Sequence, residues 1–120
     1  MAVTLTQTFD VDDPDAPVLI LTFVGDGTDL TATAISDSYQ NYLRSQGKYL
    51  FTVLLHSATD DAFTFTLTDT YSQLFTQTTA AATSGELGTP TDRYKVNDQL
   101  YAAISNLANG ATATVKCTFA

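Results

Sequence analysis

One histidine and one cysteine stand in the whole sequence, His56 and Cys117. Imidazole base chemistry therefore has a single candidate, at the end of "KYLFTVLLH" (48–56) and beside a turn. That setting suits a structural or surface histidine better than a proton shuttle. Cys117 lies in the alternating stretch "TVKCTF" (114–119), which suits a small buried side chain better than a reactive thiol. With one cysteine there is no internal disulfide, and with one histidine beside it there is no zinc site of the ordinary kind. Serines are plentiful, yet no G-x-S-x-G elbow appears. No phosphate-binding loop or dinucleotide fingerprint appears either, and "GDG" at 25–27 reads as a turn. The expectation is a protein without catalysis, with no catalytic, cofactor-binding or metal-binding residues.

Oxygen ligands are the other chemistry to weigh. Asp10, Asp12, Asp13 and Asp15 fall within six residues of one loop. Hard cations such as calcium take several carboxylate and carbonyl oxygens from a flexible loop. The EF-hand spacing is absent, however, and Pro14 stiffens the segment, so a solvated acidic turn is expected. Asp26 and Asp29 around Gly27 form a weaker second set, and Asp60-Asp61 reads as turn chemistry. Six tyrosines, Tyr39, Tyr42, Tyr49, Tyr71, Tyr94 and Tyr101, would serve a sugar-binding face or act as ordinary strand and interface residues. With no tryptophan and no clustering along the chain, the second reading is preferred.

Charge narrows the partners. Thirteen acidic residues stand against five basic ones, for a net charge of −8. Nucleic-acid binding needs clustered Lys and Arg, and Arg93 with Lys95 is a pair, not a patch. The longest apolar run, "APVLILTFV" (16–24), is far too short to span a bilayer. "MAVTLTQTFD" shows no basic residue and no apolar stretch of signal-peptide length, so a protein made and kept in a cytoplasm is expected. All the acids but Glu86 are Asp, and Thr abounds. That is a β-and-turn composition, because helices favour long unbranched side chains.

At 120 residues the chain reads as one domain, residues 1–120, and 44% hydrophobic residues suffice for a packed interior. "VTLTQTF" (3–9) alternates with period two and predicts a strand with one buried face. "DVDDPDAP" (10–17) is a turn or loop. "VLILTFV" (18–24) is apolar on both sides and predicts a central strand covered on two faces. In "LTATAISDSYQNYLRSQG" (30–47), Thr31, Thr33 and the neighbouring Ala suggest an extended start. "SDSYQNYLRSQG" (36–47) reads as a short helix near 36–46 or as an irregular loop. In the helical reading Ser36 or Asp37 caps it, Tyr39, Tyr42 and Leu43 share one face, and Gly47 follows its end. "KYLFTVLLH" (48–56) and "FTFTLTDT" (63–70) are strong strands, read together as the clearest hairpin in the chain. "YSQLFTQT" (71–78) extends that hairpin or forms the next strand. "TAAATSGELGTPT" (79–91) reads as a long surface loop with no element of its own. "DRYKVN" (92–97) reads as a short strand.

"QLYAAISNLANGATATVKCTF" (99–119) serves two templates. A helix over 98–108 would align Leu100, Ile104, Leu107 and Ala108 and end at Gly110. A strand would alternate instead and return through a type I′ turn at Asn109-Gly110. Periodicity fits both, and the β-rich surroundings tip the reading to the hairpin. The fold class is then all-β, an antiparallel β-sandwich. A helical 98–108 would make it α+β.

The layout over 47–119 resembles the small all-β structural proteins of tailed bacteriophages, of the capsid decoration or head-fibre-base kind. The resemblance rests on "GKYLFTV", then the Thr-rich "FTFTLTDT", a Thr/Ala/Gly loop, and a closing strand–Gly-turn–strand. It implies a sandwich of jelly-roll or Ig-like type and a virion protein that braces the outer shell without catalysis, assembled in the bacterial cytoplasm. The partners it implies are the major capsid protein and further copies of itself. The loop 79–91 with the amino-terminal strand is the expected contact surface. Rival readings are a tail or head–tail connector component and a receptor- or glycan-binding module of a fibre.

Overall fold

The computed structural model describes residues 3–59, 61–79, 85–90 and 94–120. In chain order its elements are β1 (Thr4–Asp10), β2 (Val18–Val24), β3 (Leu30–Ala34), α1 (Asp37–Ser45), β4 (Tyr49–Ser57) and β5 (Thr64–Thr68). Then come β6 (Gln73–Thr78), β7 (Glu86–Gly88), β8 (Tyr94–Lys95), β9 (Tyr101–Ser105) and β10 (Thr112–Phe119). The first sheet runs β1-β2-β10-β4-β7, with β8 also paired to β4. The second runs β3-β9-β5-β6. Every pairing is antiparallel. From β2 onward the chain repeatedly crosses from one sheet to the other, which is the jelly-roll layout of an all-β sandwich.

Period-two alternation builds the core. Leu19, Leu21 and Phe23 of β2, Val53 and Leu55 of β4, and Val115, Cys117 and Phe119 of β10 point inward from the first sheet. Phe65, Leu67, Phe75, Ala102 and Ile104 meet them from the second. The Phe23 and Phe65 rings touch across the gap, with centroids 6.2 Å apart. Each large side chain so buried contributes roughly 1.5–3 kcal/mol over leaving it in water.

The helix forms where its caps predict. Ser36 is the N-cap residue, and Gly47, at φ +64°, follows the C-terminal Gln46. Leu43 and Gln40 are buried. Tyr39 stacks on Phe9 of β1 at 5.1 Å, and Tyr42 meets the same ring edge-on at 5.5 Å. Gln7 of β1 reaches the same region, donating to the Ala34 carbonyl and accepting from the Ser36 amide.

Residues 98–108 are not helical. Tyr101–Ser105 is a strand between β3 and β5, so pairing on both sides overrides the helical template. The expected hairpin with residues 112–119 is also absent. Strand β9 belongs to the second sheet and β10 to the first, where β10 pairs β2 and β4. The turn is likewise not type I′. Gly110 has φ +80° but Asn109 does not have positive φ, and the Ala111 amide bonds the Ala108 carbonyl. The same correction applies to 48–56 and 63–70, because β4 and β5 lie in opposite sheets. The hairpins that do form are β1–β2 and β5–β6. Period two reports which side of a strand is buried, and both strands of an inter-sheet corner satisfy it.

Candidate docking surface

Among the described residues, none of the candidate oxygen-ligand sets is brought together around one point. In the acidic loop the Asp10 carboxylate accepts from the Asp12 amide and Asp13 from the Asp15 amide, so each is used in its own local turn. Asp26 bonds the Thr28 hydroxyl and amide, which hold its carboxyl below the usual range. Asp29 accepts from the Asn106 amide and ties two loops together. Among the described residues no three His, Cys, Asp or Glu side chains are placed to share an ion. Asp60, Asp92, Arg93 and residues 80–84 and 91 of the expected loop lie outside the described residues.

Cys117 is fully buried on the inner face of β10, and that burial pushes its thiol up to about 12. The tyrosines are dispersed. Tyr39 and Tyr42 flank Phe9, Tyr101 is on the second sheet, and Tyr71 is 82% exposed in the β5–β6 turn. The Tyr94 hydroxyl is buried beside Asp69, short of hydrogen-bond geometry. Burial first, and the Asp69 carboxylate second, push it up to about 12. Burial opposes ionisation of Asp69 itself, but the Tyr71 and Ser72 amides outweigh it and hold that carboxyl below its usual range.

What the fold does assemble is a face. Val18, Ile20, Thr22 and Val24 of β2 point away from the core, beside Thr114, Lys116 and Thr118 of β10 and Leu54 and His56 of β4. Register sets them in rows. One row reads Thr8, Ile20, Lys116, Leu54, Leu87, and the next reads Thr6, Thr22, Thr114, His56. A β-bulge opposite Thr118 and Phe119 leaves Phe51 unpaired and 60% exposed. Leu87 is 65% exposed beside Leu54. A groove of about 380 Å³ opens on this face, lined by Leu54, His56, Gly85, Thr114 and Lys116.

Two features mark this face. The run "VLILTFV" predicts cover on both sides, and the fold covers only one, leaving Ile20 and Val18 half-buried on the outside. Among the described residues the carboxylates also avoid all of it but the rim. Asp12, Asp13, Asp15, Asp26, Asp29, Asp61, Asp69 and Asp98 lie in loops and turns and Asp37 opens α1, while Asp10, opposite Val18 at the end of β1, stands at the rim of the face. Glu86 is turned toward Gln77 of the second sheet, which donates to it.

The expected contact surface is rearranged accordingly. Residues 86–88 of the supposed loop form strand β7, because the short side of Gly88 lets the chain lie against Phe75 and Gln77. The amino-terminal strand β1 occupies the opposite edge of the same sheet. Strand β1 and residues 86–88 thus stand at the two edges of the outer face. The tyrosines and acidic loops carry no signal for this face, whereas the two-sided apolarity of residues 18–24 does.

No known protein family matches the sequence, and no curated protein does. Among solved structures, the fold resembles a chain of the acidic stable capsid structure of Helicobacter pylori bacteriophage KHP30, with a TM-score of 0.51 at 10% identity. The likeness covers 97% of this chain and 92% of that one, so two small chains of similar length match from end to end.

Proposed function

We propose that this chain is a non-enzymatic structural protein of a tailed-phage virion, which decorates and stabilises the outer shell by binding the major capsid protein and copies of itself. The observation that carries this reading is the end-to-end likeness in fold to a chain of a phage capsid structure. The outer face of the first sheet supports it. That face is apolar and hydroxyl-rich on a chain of net charge −8, with Asp10 at its rim as the one carboxylate on its described strand positions and Lys116 within it. Such a face docks with little carboxylate desolvation, and its lysine fits a partner surface that offers an acid among apolar groups.

The test is to quantify the chain in purified virions by mass spectrometry. Hundreds of copies per particle are expected for decoration. A dozen or fewer would place it in the neck or tail instead, and its absence from the particle would refute a virion role.

A further inference from the structure

Strand edges bound both sheets, and one differs from the others. Strand β7 is three residues long, β3 breaks register between Leu30 and Thr33, and β6 meets β5 with an irregularity at Thr68. Natural sheets blunt their edges by such means, or with Lys and Pro. Strand β1 has none of them. It keeps seven consecutive pairs with β2, and "TLTQTFD" contains neither Lys nor Pro.

Hydrogen-bond parity shows which groups that edge presents. The Phe119 amide bonds the Pro17 carbonyl, and the Gly25 amide bonds the Ala111 carbonyl, both at 2.9 Å. Odd-numbered residues of β2 therefore aim their main-chain groups at β10, and even-numbered ones aim at β1. Their partners are Thr4, Thr6, Thr8 and Asp10. Leu5, Gln7 and Phe9 are left turning N–H and C=O away from the sheet. One hydrogen bond reaches that row from within the described residues, from the Tyr39 hydroxyl to the Gln7 carbonyl at 3.4 Å. A carbonyl has a second lone pair to offer.

We infer that β1 pairs antiparallel with β1 of a second copy across a two-fold axis at Gln7, joining the two first sheets into one. This deepens the self-association in the proposed function and does not depend on the shell. The occupant of such an edge must be an extended backbone, and the sequence of β1 complements itself. Centring on Gln7 sets Leu5 against Phe9 of the second copy and closes roughly six main-chain bonds, using all the outward groups. On the outer face Thr6 meets Thr8 of the second copy. This is the same hydroxyl pairing that Thr64–Thr78 and Thr66–Thr76 make within this fold. Charge selects the antiparallel sense. The acidic loop follows Asp10, so the two loops lie at opposite ends of the join. Asp10 and its copy are then roughly 20 Å apart at about 3.3 Å per residue, beyond the ~8 Å screening length of physiological salt.

Sedimentation equilibrium of the full chain tests this. A dimer that tightens with added salt is expected. Thr6→Lys with Thr8→Lys sets like charges opposite one another on an exposed face, and the double variant should be monomeric at the same concentration. Thr6→Glu with Thr8→Glu should be monomeric too, and mixing the two double variants should restore a one-to-one dimer. Amide exchange at Leu5, Gln7 and Phe9 should slow as wild-type concentration rises. A wild-type chain that is monomeric at 100 µM, as roughly sub-micromolar to micromolar pairing excludes, overturns the inference. So does a dimer that both double variants leave intact. Protection of these amides only when capsid chains are added assigns the edge to a different occupant and equally overturns it.

Discussion

The Leu100 amide donates a 2.9 Å hydrogen bond to the side-chain oxygen of Gln40, sixty residues away in the chain. The same side chain donates to the Asp98 carbonyl at 2.7 Å, and the Leu100 carbonyl accepts from the Ile35 amide. One buried glutamine thus stands in for a strand partner just where the chain enters β9. Gln40→Ala leaves a buried amide and a carbonyl without partners and should cost roughly 2–4 kcal/mol. Urea denaturation checks this. A cost below 0.5 kcal/mol on the same measure would show that water replaces the side chain.

Gly25 and Gly110 meet across the β2 and β10 ends, where the Gly110 amide bonds the Gly25 carbonyl. They should respond differently to alanine. A Cβ on Gly25 would stand 2.3 Å from the Ala108 carbonyl oxygen, which is backbone and held by the Ala111 amide. Gly110 has open space but positive φ. Gly25→Ala should cost about 2–3 kcal/mol as overpacking, and Gly110→Ala about 1 kcal/mol as backbone strain. Thermal melts of the two variants side by side test the order, and equal losses would contradict it.

The strand positions were legible in the sequence, because one-sided burial writes itself as period two in "TLTQTFD", "TFTLT" and "TATVKCTF". Sheet membership was not. Strands β4 and β5 read as a hairpin because each carries an apolar face, and nothing local says that those faces oppose one another across a sandwich. Gln40 was missed for a related reason. Its position, three before Leu43, sets it on the buried side of the helix, but a glutamine enters the core only when distant backbone supplies its partners. The outer face was half legible. The two-sided apolarity of β2 announced a second layer, and only the fold showed that this chain does not provide it.

Alkali should weaken the fold through Cys117 and Tyr94. Burial raises both groups, to about 12 each in the folded chain, from ordinary values of 9.0 and 10.0. Between those values the unfolded chain has released protons that the folded chain still holds, so stability falls as pH rises. The contribution is intact below about pH 9 and declines toward pH 12. Cys117→Ala removes the thiol's share and should flatten the decline, at about 1 kcal/mol lost at neutral pH. Urea midpoints from pH 8 to 11 check the sign, and a variant whose decline is as steep as wild type would dismiss the thiol. Native Cys117 should also resist alkylation until the chain unfolds.

The proposed docking on a shell through the first sheet makes its sharpest demand on Phe51 and Leu87. Both are exposed at 60% and 65%, so replacing either by Asp should leave the melting temperature nearly unchanged. In a docked complex the new carboxylate would be desolvated without a partner, a loss of roughly 2 kcal/mol or more, which is about thirtyfold in affinity. Thr76→Asp on the outer face of the second sheet is the matched control. It breaks one exposed hydroxyl pair with Thr66 and should bind as wild type does. Co-sedimentation with shells lacking this chain reads all three. Loss of binding by Phe51→Asp and Leu87→Asp alone assigns the first sheet to the contact, whereas loss by Thr76→Asp alone would turn the molecule over and seat it on β3-β9-β5-β6.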